Sequence, residues 1–405
     1  MKILVVNGDC IQVNSSANLC HLAYIRGLVD AGHELTLLSA DGKVYQKDPN
    51  MRIPESVRCY SYYGMSLYER LSLKRKQMRP AETRKSVPSA GKTNNKKSLL
   101  YRLKKWALSL YGVHGIYAPF VRRAGHFHSN VDYDLLLSIS TPVTSHLLAH
   151  NLLESGRVKA SHWVQIWEDP WYSDAYGFNG EDAVFQEEKR LLNYAEHICY
   201  VSPLTLEKQK HLFPNSAQKM FWQPLPAYYS LESTVQESSG RLSFGYFGAY
   251  YPASRNLRPF YEAVCLSGIE LSICGDPSSL FQPTDRIMIY PRMPLEKLHL
   301  IEKATDVLVF LCNRRGGQIP GKIYQYAATD KTVLFILDGT EEEKKILREF
   351  FEPYHRFVFC ENNVEDIAAA IERIQRGELG DVVNRPLTEF EPVKIVKRIL
   401  EEGMK

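Results

Sequence analysis

No two cysteines in this 405-residue chain stand at Cys-x-x-Cys spacing, and no apolar run reaches the roughly 20 residues a membrane span needs. The first absence argues against a zinc site or a disulfide framework. Cys199, Cys274, Cys312 and Cys360 instead fall in or beside apolar, strand-like runs and read as small buried hydrophobes of a reducing cytoplasm. The second argues against a spanning helix. The opening run Ile3-Leu4-Val5-Val6 is too short for a signal peptide and reads as a first strand. The loop after it lacks a strict Gly-x-Gly-x-x-Gly, which disfavours a dinucleotide cofactor.

Hydrophobic residues at 44% and charged residues at 24% are ordinary globular values, and the length suggests two or three domains. The net charge of +4 is unevenly spread. Residues 69–105 carry thirteen Lys or Arg against two acids, a local +11 that leaves the rest of the chain at −7. Ser, Pro, Gly, Lys and Arg dominate 74–97, so the centre of this insert is expected to lack fixed structure. Residues 99–111 read as a basic amphipathic helix carrying Trp106. Either an anionic membrane face or plain solvent fits such a stretch. Nucleic acid is not expected as a partner, because no recognised nucleic-acid module accompanies the patch.

Along the chain, strands alternate with helices. Lys2 to Asn7 predicts a strand, and a polar loop follows in which Ser15 or Ser16 is a plausible helix cap. Leu19, Leu22, Ala23, Leu28 and Val29 have helical spacing up to Gly32, and Glu34 to Ser39 predicts the next strand. Asp134 to Ser140 and His162 to Trp167 are further strands, with a helix carrying His146 between them. The second of these ends in Glu168-Asp169-Pro170-Trp171, acids placed where doubly wound sheets bind ligands. Ser202-Pro203 reads as a cap and first turn. Periodicity fades over 214–240, and the domain linker is placed at 226–240, between an N-terminal domain 1–225 and a C-terminal domain 241–390. A new strand, glycine loop and helix begin at Ser243, with Gly248 in the loop and Arg255 near the helix start. A helix from Pro392 closes the chain.

The densest signal lies at 306–337. Asp306 to Leu311 and Thr332 to Leu337 predict strands buried on both faces. Between them stand Gly316-Gly317-Gln318-Ile319-Pro320-Gly321-Lys322, then Gln325. The glycines free the backbone to approach a ligand, Pro320 suits a helix entry, and the N–H groups of a helix start attract anions. A cation at Lys322 is unfavourable there unless an anion is expected.

This segment resembles the donor-binding segment of GT-B fold glycosyltransferases. It is nearest the retaining family of bacterial surface-polysaccharide enzymes, in which a Pro-x-Lys-x-x-Glu-Tyr-type helix follows a glycine loop. The likeness covers most of the chain apart from the basic insert. It implies an α/β fold of two Rossmann-like doubly wound domains facing each other across a cleft, with 391–405 returning to the first domain. It implies a transferase moving a sugar from a nucleotide sugar to a saccharide or lipid-linked acceptor, in the cytoplasm or on the inner membrane face, with retention more expected than inversion.

The donor would meet Gly248, Arg255, Gly317, Lys322 and Gln325. The acceptor would enter by Ser15, Ser16 and Asn18, with Asp169 and His146 as catalytic candidates. Arg255 and Lys322 could make a metal unnecessary. One departure matters: the usual pair of glutamates, registered on this chain, falls on Gly317 and Gln325. That loss also admits a non-catalytic scaffold or a sugar-nucleotide epimerase on the same architecture.

Overall fold

The computed structural model describes residues 1–42, 44–77, 111–175, 181–228, 241–275 and 280–405. The expected basic helix at 99–111, all but its last residue, lies outside them. So do most of the basic insert and most of the linker 226–240.

Two parallel sheets form the molecule. The first holds β1 (Lys2–Asn7), β2 (Glu34–Asp41), β3 (Arg58–Tyr63), β4 (Asp132–Ser140), β5 (Lys159–Trp167), β6 (His197–Tyr200) and β7 (Met220–Trp222), in the spatial order 3-2-1-4-5-6-7. The second holds β8 (Ser243–Phe247), β9 (Glu270–Gly275), β10 (Ile287–Pro291), β11 (Val307–Leu311), β12 (Thr332–Leu337) and β13 (Phe357–Glu361), in the order 10-9-8-11-12-13. Every adjacent pair is parallel, as in Val5 opposite Leu137 and Val309 opposite Leu334. Strand order reverses at β1/β4 and again at β8/β11. Each reversal opens a crevice at the carboxyl ends of its strands, the usual ligand position of such sheets.

The described helices are α1 (Ser16–Asp30), α2 (Leu67–Gln77), α3 (Ala118–Ala124), α4 (Thr144–Glu154), α5 (Asp182–Tyr194), α6 (Pro203–Leu212), α7 (Arg258–Ser267), α8 (Leu295–Ala304), α9 (Lys322–Ala327), α10 (Glu341–Phe351), α11 (Val364–Gln375) and α12 (Pro392–Gly403). They cover the faces of the sheets, which is why the central strands read as unbroken apolar runs. Within β1, Ile3 and Val5 join one apolar cluster and Leu4 and Val6 another, following the two-residue alternation of a strand.

The cluster holding Ile3 and Val5 continues through Ile395 and Ile399 of α12 into Phe310 of β11 and Ile323 and Tyr324 of α9. The terminal helix therefore bonds the two halves by shared apolar burial. Its approach is tight: a Cβ on Gly27 of α1 would stand 2.5 Å from the Pro392 carbonyl oxygen.

Three elements differ from the sequence reading. The insert begins as helix α2, because Ser66 and Glu69 cap it reciprocally: the Ser66 N–H donates to Glu69 Oε2 at 2.8 Å, and the Glu69 N–H donates to Ser66 Oγ at 3.2 Å. Strands β3 and β7 carry no signal in the sequence. β3 is a largely exposed edge strand, and β7 is only three residues long.

Candidate active site

The carboxyl ends of the two sheets face each other across a cleft of about 1080 Å³. Its walls are electrically unlike. From the first sheet come the α1 entry with Asn14 and Ser16, the loop with Lys47 and Asp48, and the segment after β5 with Glu168, Asp169 and Asp174. From the second come Gly248 and Arg255 after β8, Arg292 after β10, and Asn313, Gln318 and Lys322 after β11. Lys47 is the cation of the first wall, and its Nζ is paired with Asp41 Oδ2 at 2.8 Å. Carboxylates thus dominate one face and cations the other.

The strand-to-helix connections explain this placement. Gly248 donates its N–H to the Cys274 carbonyl at 3.0 Å, which brings the ends of β8 and β9 together. Gly275 has no room for a side chain there, since its Cβ would lie 2.2 Å from the Gly248 carbonyl oxygen. The turn Tyr251 to Arg255 then aims the guanidinium back into the cleft. Its Nε donates to Asn313 Oδ1 at 2.8 Å and its NH1 to the Ala249 carbonyl at 3.3 Å. Arg255 therefore stands three residues ahead of α7, on a turn and not on the helix mouth.

Lys322 is the first residue of α9, as expected, and lines the cleft. Its Nζ lies 2.5 Å from Glu302 Oε1, on a carboxylate with no exposed side chain, and 5.7 Å from the Tyr326 ring centroid. The cation misplaced at the helix start is thus answered from α8 within the protein itself.

Asp169 projects into the cleft, where its Oδ1 accepts from Gln318 Nε2 at 2.6 Å across the domain gap. The same amide lies 3.3 Å from Asp174 Oδ1. The Asp169 side chain is open to the cleft, and its carboxyl is pushed up to about 6, first by desolvation between the cleft walls and then by the charge of Glu168; the Gln318 bond opposes the shift. An acid of that strength is ionised near neutrality and holds a proton well enough to act as a base.

Behind Asp169 lies a pair that the sequence did not expose. His21, fully buried on α1, accepts from Asn7 Nδ2 at Nδ1, 2.7 Å away. Asn7 is oriented by its own Oδ1, which accepts the Asp9 N–H at 2.9 Å. The histidine proton is therefore on Nε2, 3.2 Å from Glu168 Oε2. Burial opposes the charged form of both, and both are raised: His21 by Glu168 despite its burial, Glu168 by burial itself. A lone histidine at an apolar helical spacing reads as core, and only the fold brings position 21 to position 168.

The remaining predicted residues divide. Ser16 is exposed on the cleft. Ser15 is the cap of α1, its Oγ accepting the Asn18 N–H at 3.1 Å. Asn18 is buried and ties the loop together through the Cys10 and Val13 carbonyls at 3.1 and 3.0 Å. Neither is among the residues lining the cleft.

His146 is buried on α4, bonded to Ser138 Oγ at 2.8 Å and lying against Trp167. Burial pushes it down to about 3, so it is a neutral core residue and not a cleft base. Gln325 is buried too, its Oε1 accepting the Tyr228 N–H at 2.5 Å, so its carbonyl oxygen tethers the end of the first domain.

Gly317 closes the domains instead of facing a donor. Its carbonyl accepts from Ser202 Oγ at 2.6 Å, and a Cβ there would lie 2.7 Å from Leu204 Cβ. Ser202 occupies the cap position of α6 as the sequence suggested, yet its hydroxyl makes this cross-domain bond and does not cap the helix.

No family model and no curated protein matches the chain. Solved structures do. The structure of TarM is similar over 100% of this chain and 99% of its own, at 8% identity and a TM-score of 0.61. A glycosyltransferase from Rickettsia africae ESF-5 is similar over 99% and 98%, at 12% identity and 0.57. A trehalose-6-phosphate protein from E. coli, bound with UDP-2-fluoro glucose, is similar over 99% and 96%, at 10% identity and 0.51. The chain has the GT-B fold: two facing parallel α/β sheets with a terminal helix shared between them.

Proposed function

We propose that the protein is a glycosyltransferase that moves a sugar from a nucleotide-sugar donor to a hydroxyl-bearing acceptor. The observation that carries this is the polarity of the cleft: Arg255, Arg292 and Lys322 on the second-domain wall, opposite Asp169 and Glu168 on the first. Cations at the carboxyl ends of β8, β10 and β11 suit a diphosphate, whose negative charge grows as the sugar leaves. That electrostatic work is done by side chains, so turnover is expected to survive chelation of divalent ions.

Asp169 takes the proton of the attacking hydroxyl while the acceptor oxygen bonds the anomeric carbon and the diphosphate departs with the bonding pair. Such a direct displacement inverts the anomeric centre. It departs from the retaining course that the resemblance implies, because neither Gly317 nor Gln325 offers a carboxylate and neither lines the cleft. Proton NMR of the product's anomeric signal reads the outcome.

The acceptor is proposed to be a saccharide, free or lipid-linked, met in the assembly of a surface polysaccharide. The +11 segment 69–105 supports work at an anionic membrane face. No helix among the described residues is long and apolar enough to cross a membrane. Deleting 74–97 is expected to weaken binding to phosphatidylglycerol vesicles and leave soluble turnover intact.

The central test is a thermal-shift panel of UDP, GDP, ADP, CMP and their sugars. One nucleotide is expected to raise the melting temperature, and Arg255→Ala to abolish that rise. No shift with any of them would refute the reading. An isomerised sugar nucleotide formed without acceptor would indicate an epimerase instead.

A further inference from the structure

We propose that Glu168, braced by His21, forms with Asp169 an acceptor subsite for hydroxyl or amine groups of a sugar that carries no phosphate or carboxylate at the reacting unit. This rests on the glycosyl-transfer reading above. Glu168 lines the cleft with a side chain only 8% exposed. Its Oε2 faces His21, and its Oε1 is buried with no hydrogen-bond donor among the described residues. A buried carboxylate oxygen without a donor calls for one, and a turn of the Glu168 carboxylate toward the cleft brings it to an acceptor hydroxyl or ammonium arriving over Asp169.

Asp9 N–H fixes Asn7, Asn7 fixes the His21 ring, and the ring sets Nε2 3.2 Å from Oε2, which leaves Oε1 without a partner.

The surrounding charge then selects the ligand. Asp169 and Asp174 both approach Gln318 Nε2, at 2.6 and 3.3 Å, so three carboxylates converge on this end of the cleft. An anionic group brought there would be repelled by all three in a partly desolvated space, where like charges cost most. An amine would gain from the same field.

The experiment uses the full chain and the nucleotide sugar selected by the thermal-shift panel. Release of nucleoside diphosphate is followed with methyl α-glucoside, glucosamine or glucose 6-phosphate as acceptor probes. The first two are expected to stimulate release above donor hydrolysis, and glucose 6-phosphate is not. Glu168→Gln is expected to raise the KM for glucosamine about tenfold, the size of one lost charge-assisted bond. Methyl α-glucoside should be affected less, and the nucleotide-induced melting shift should not change. A merely structural role would weaken both probes alike.

Stimulation by glucose 6-phosphate above the other two, failure of both uncharged and amine probes, or an unchanged glucosamine KM in Glu168→Gln overturns the subsite. Absence of any nucleotide shift overturns the underlying reading as well. His21→Gln, which keeps a donor near Oε2, is expected to fall between the wild type and Glu168→Gln in glucosamine KM.

Discussion

Replacing Gly317 with alanine tests whether the glycine loop serves to close the two domains. Gly317 has φ +72°, and its Cβ would meet Leu204 Cβ at 2.7 Å across the gap. Gly377 has nearly the same φ, +71°, with nothing within 4 Å of its Cβ. An alanine at either site holds the left-handed backbone at a cost of about 1–2 kcal/mol. At Gly377 that is the whole expected effect. At Gly317 the overlap with Leu204 adds about 1–3 kcal/mol. Displacing the loop also strains the 2.6 Å bond from Ser202, worth about 1 kcal/mol.

The difference between the two variants is therefore expected to be about 2–4 kcal/mol in urea unfolding. If the domains swing apart to relieve the overlap, part of that loss appears instead as a larger radius of gyration in solution scattering. Equal stability of Gly317→Ala and Gly377→Ala, with unchanged scattering, would refute the role of the loop as a close interdomain seat.

The other expectations are narrower. Lys322→Ala strips a buried carboxylate of its 2.5 Å partner and is expected to lose about 3 kcal/mol or more of stability in urea melts. Adding Glu302→Gln should restore much of the stability but not the nucleotide-induced melting shift, separating the structural from the ligand role. The acid limb of turnover is expected near pH 6, where Asp169 titrates, and removing the adjacent charge in Glu168→Gln should move that limb down. Asp169→Asn should abolish turnover while leaving nucleotide binding measurable by calorimetry.

His146 is held far below an ordinary histidine, at about 3, so the unfolded chain binds its proton first as pH falls. Stability tied to His146 is fully present above its ordinary range near 6.5 and is lost as pH drops toward 3. His146→Gln should flatten that part of the stability profile in denaturant titrations at several pH values.

The alternating strands and helices were legible because central parallel strands must be apolar on both faces. Ile3 to Val6, Val307 to Leu311 and Val333 to Leu337 leave no other reading, and all are buried. What could not be read were elements whose stability is not written in periodicity. β3 is an edge strand with Arg58, Cys59, Tyr60 and Ser61 exposed. The start of α2 is carried by a reciprocal cap at Ser66 and Glu69 within a run otherwise dominated by charge.

The site was legible by position and not by partner. The strand-end position pointed to Asp169, the glycine loop and helix start to Lys322, and the family resemblance to Gly248 and Arg255; all four line the cleft. Glu302 answers Lys322 from 20 residues upstream, Gln318 reaches Asp169 over 149 positions, and Gln325 tethers Tyr228 over 97. Such pairings follow from how the sheets face each other, and no local spacing encodes them.

His146 and His21 differ in the same way, by partner. Both sit on helices among apolar neighbours, and both are fully buried. His146 meets a serine hydroxyl and an indole, so burial alone decides its proton and leaves it neutral. His21 meets Glu168 at 3.2 Å, and that carboxylate on the cleft wall opposes the effect of burial on the ring. A histidine gains chemical meaning here from the charge opposite it. That charge stands at position 168 because β5 ends beside the crevice between β1 and β4, where a parallel sheet of this order has to open.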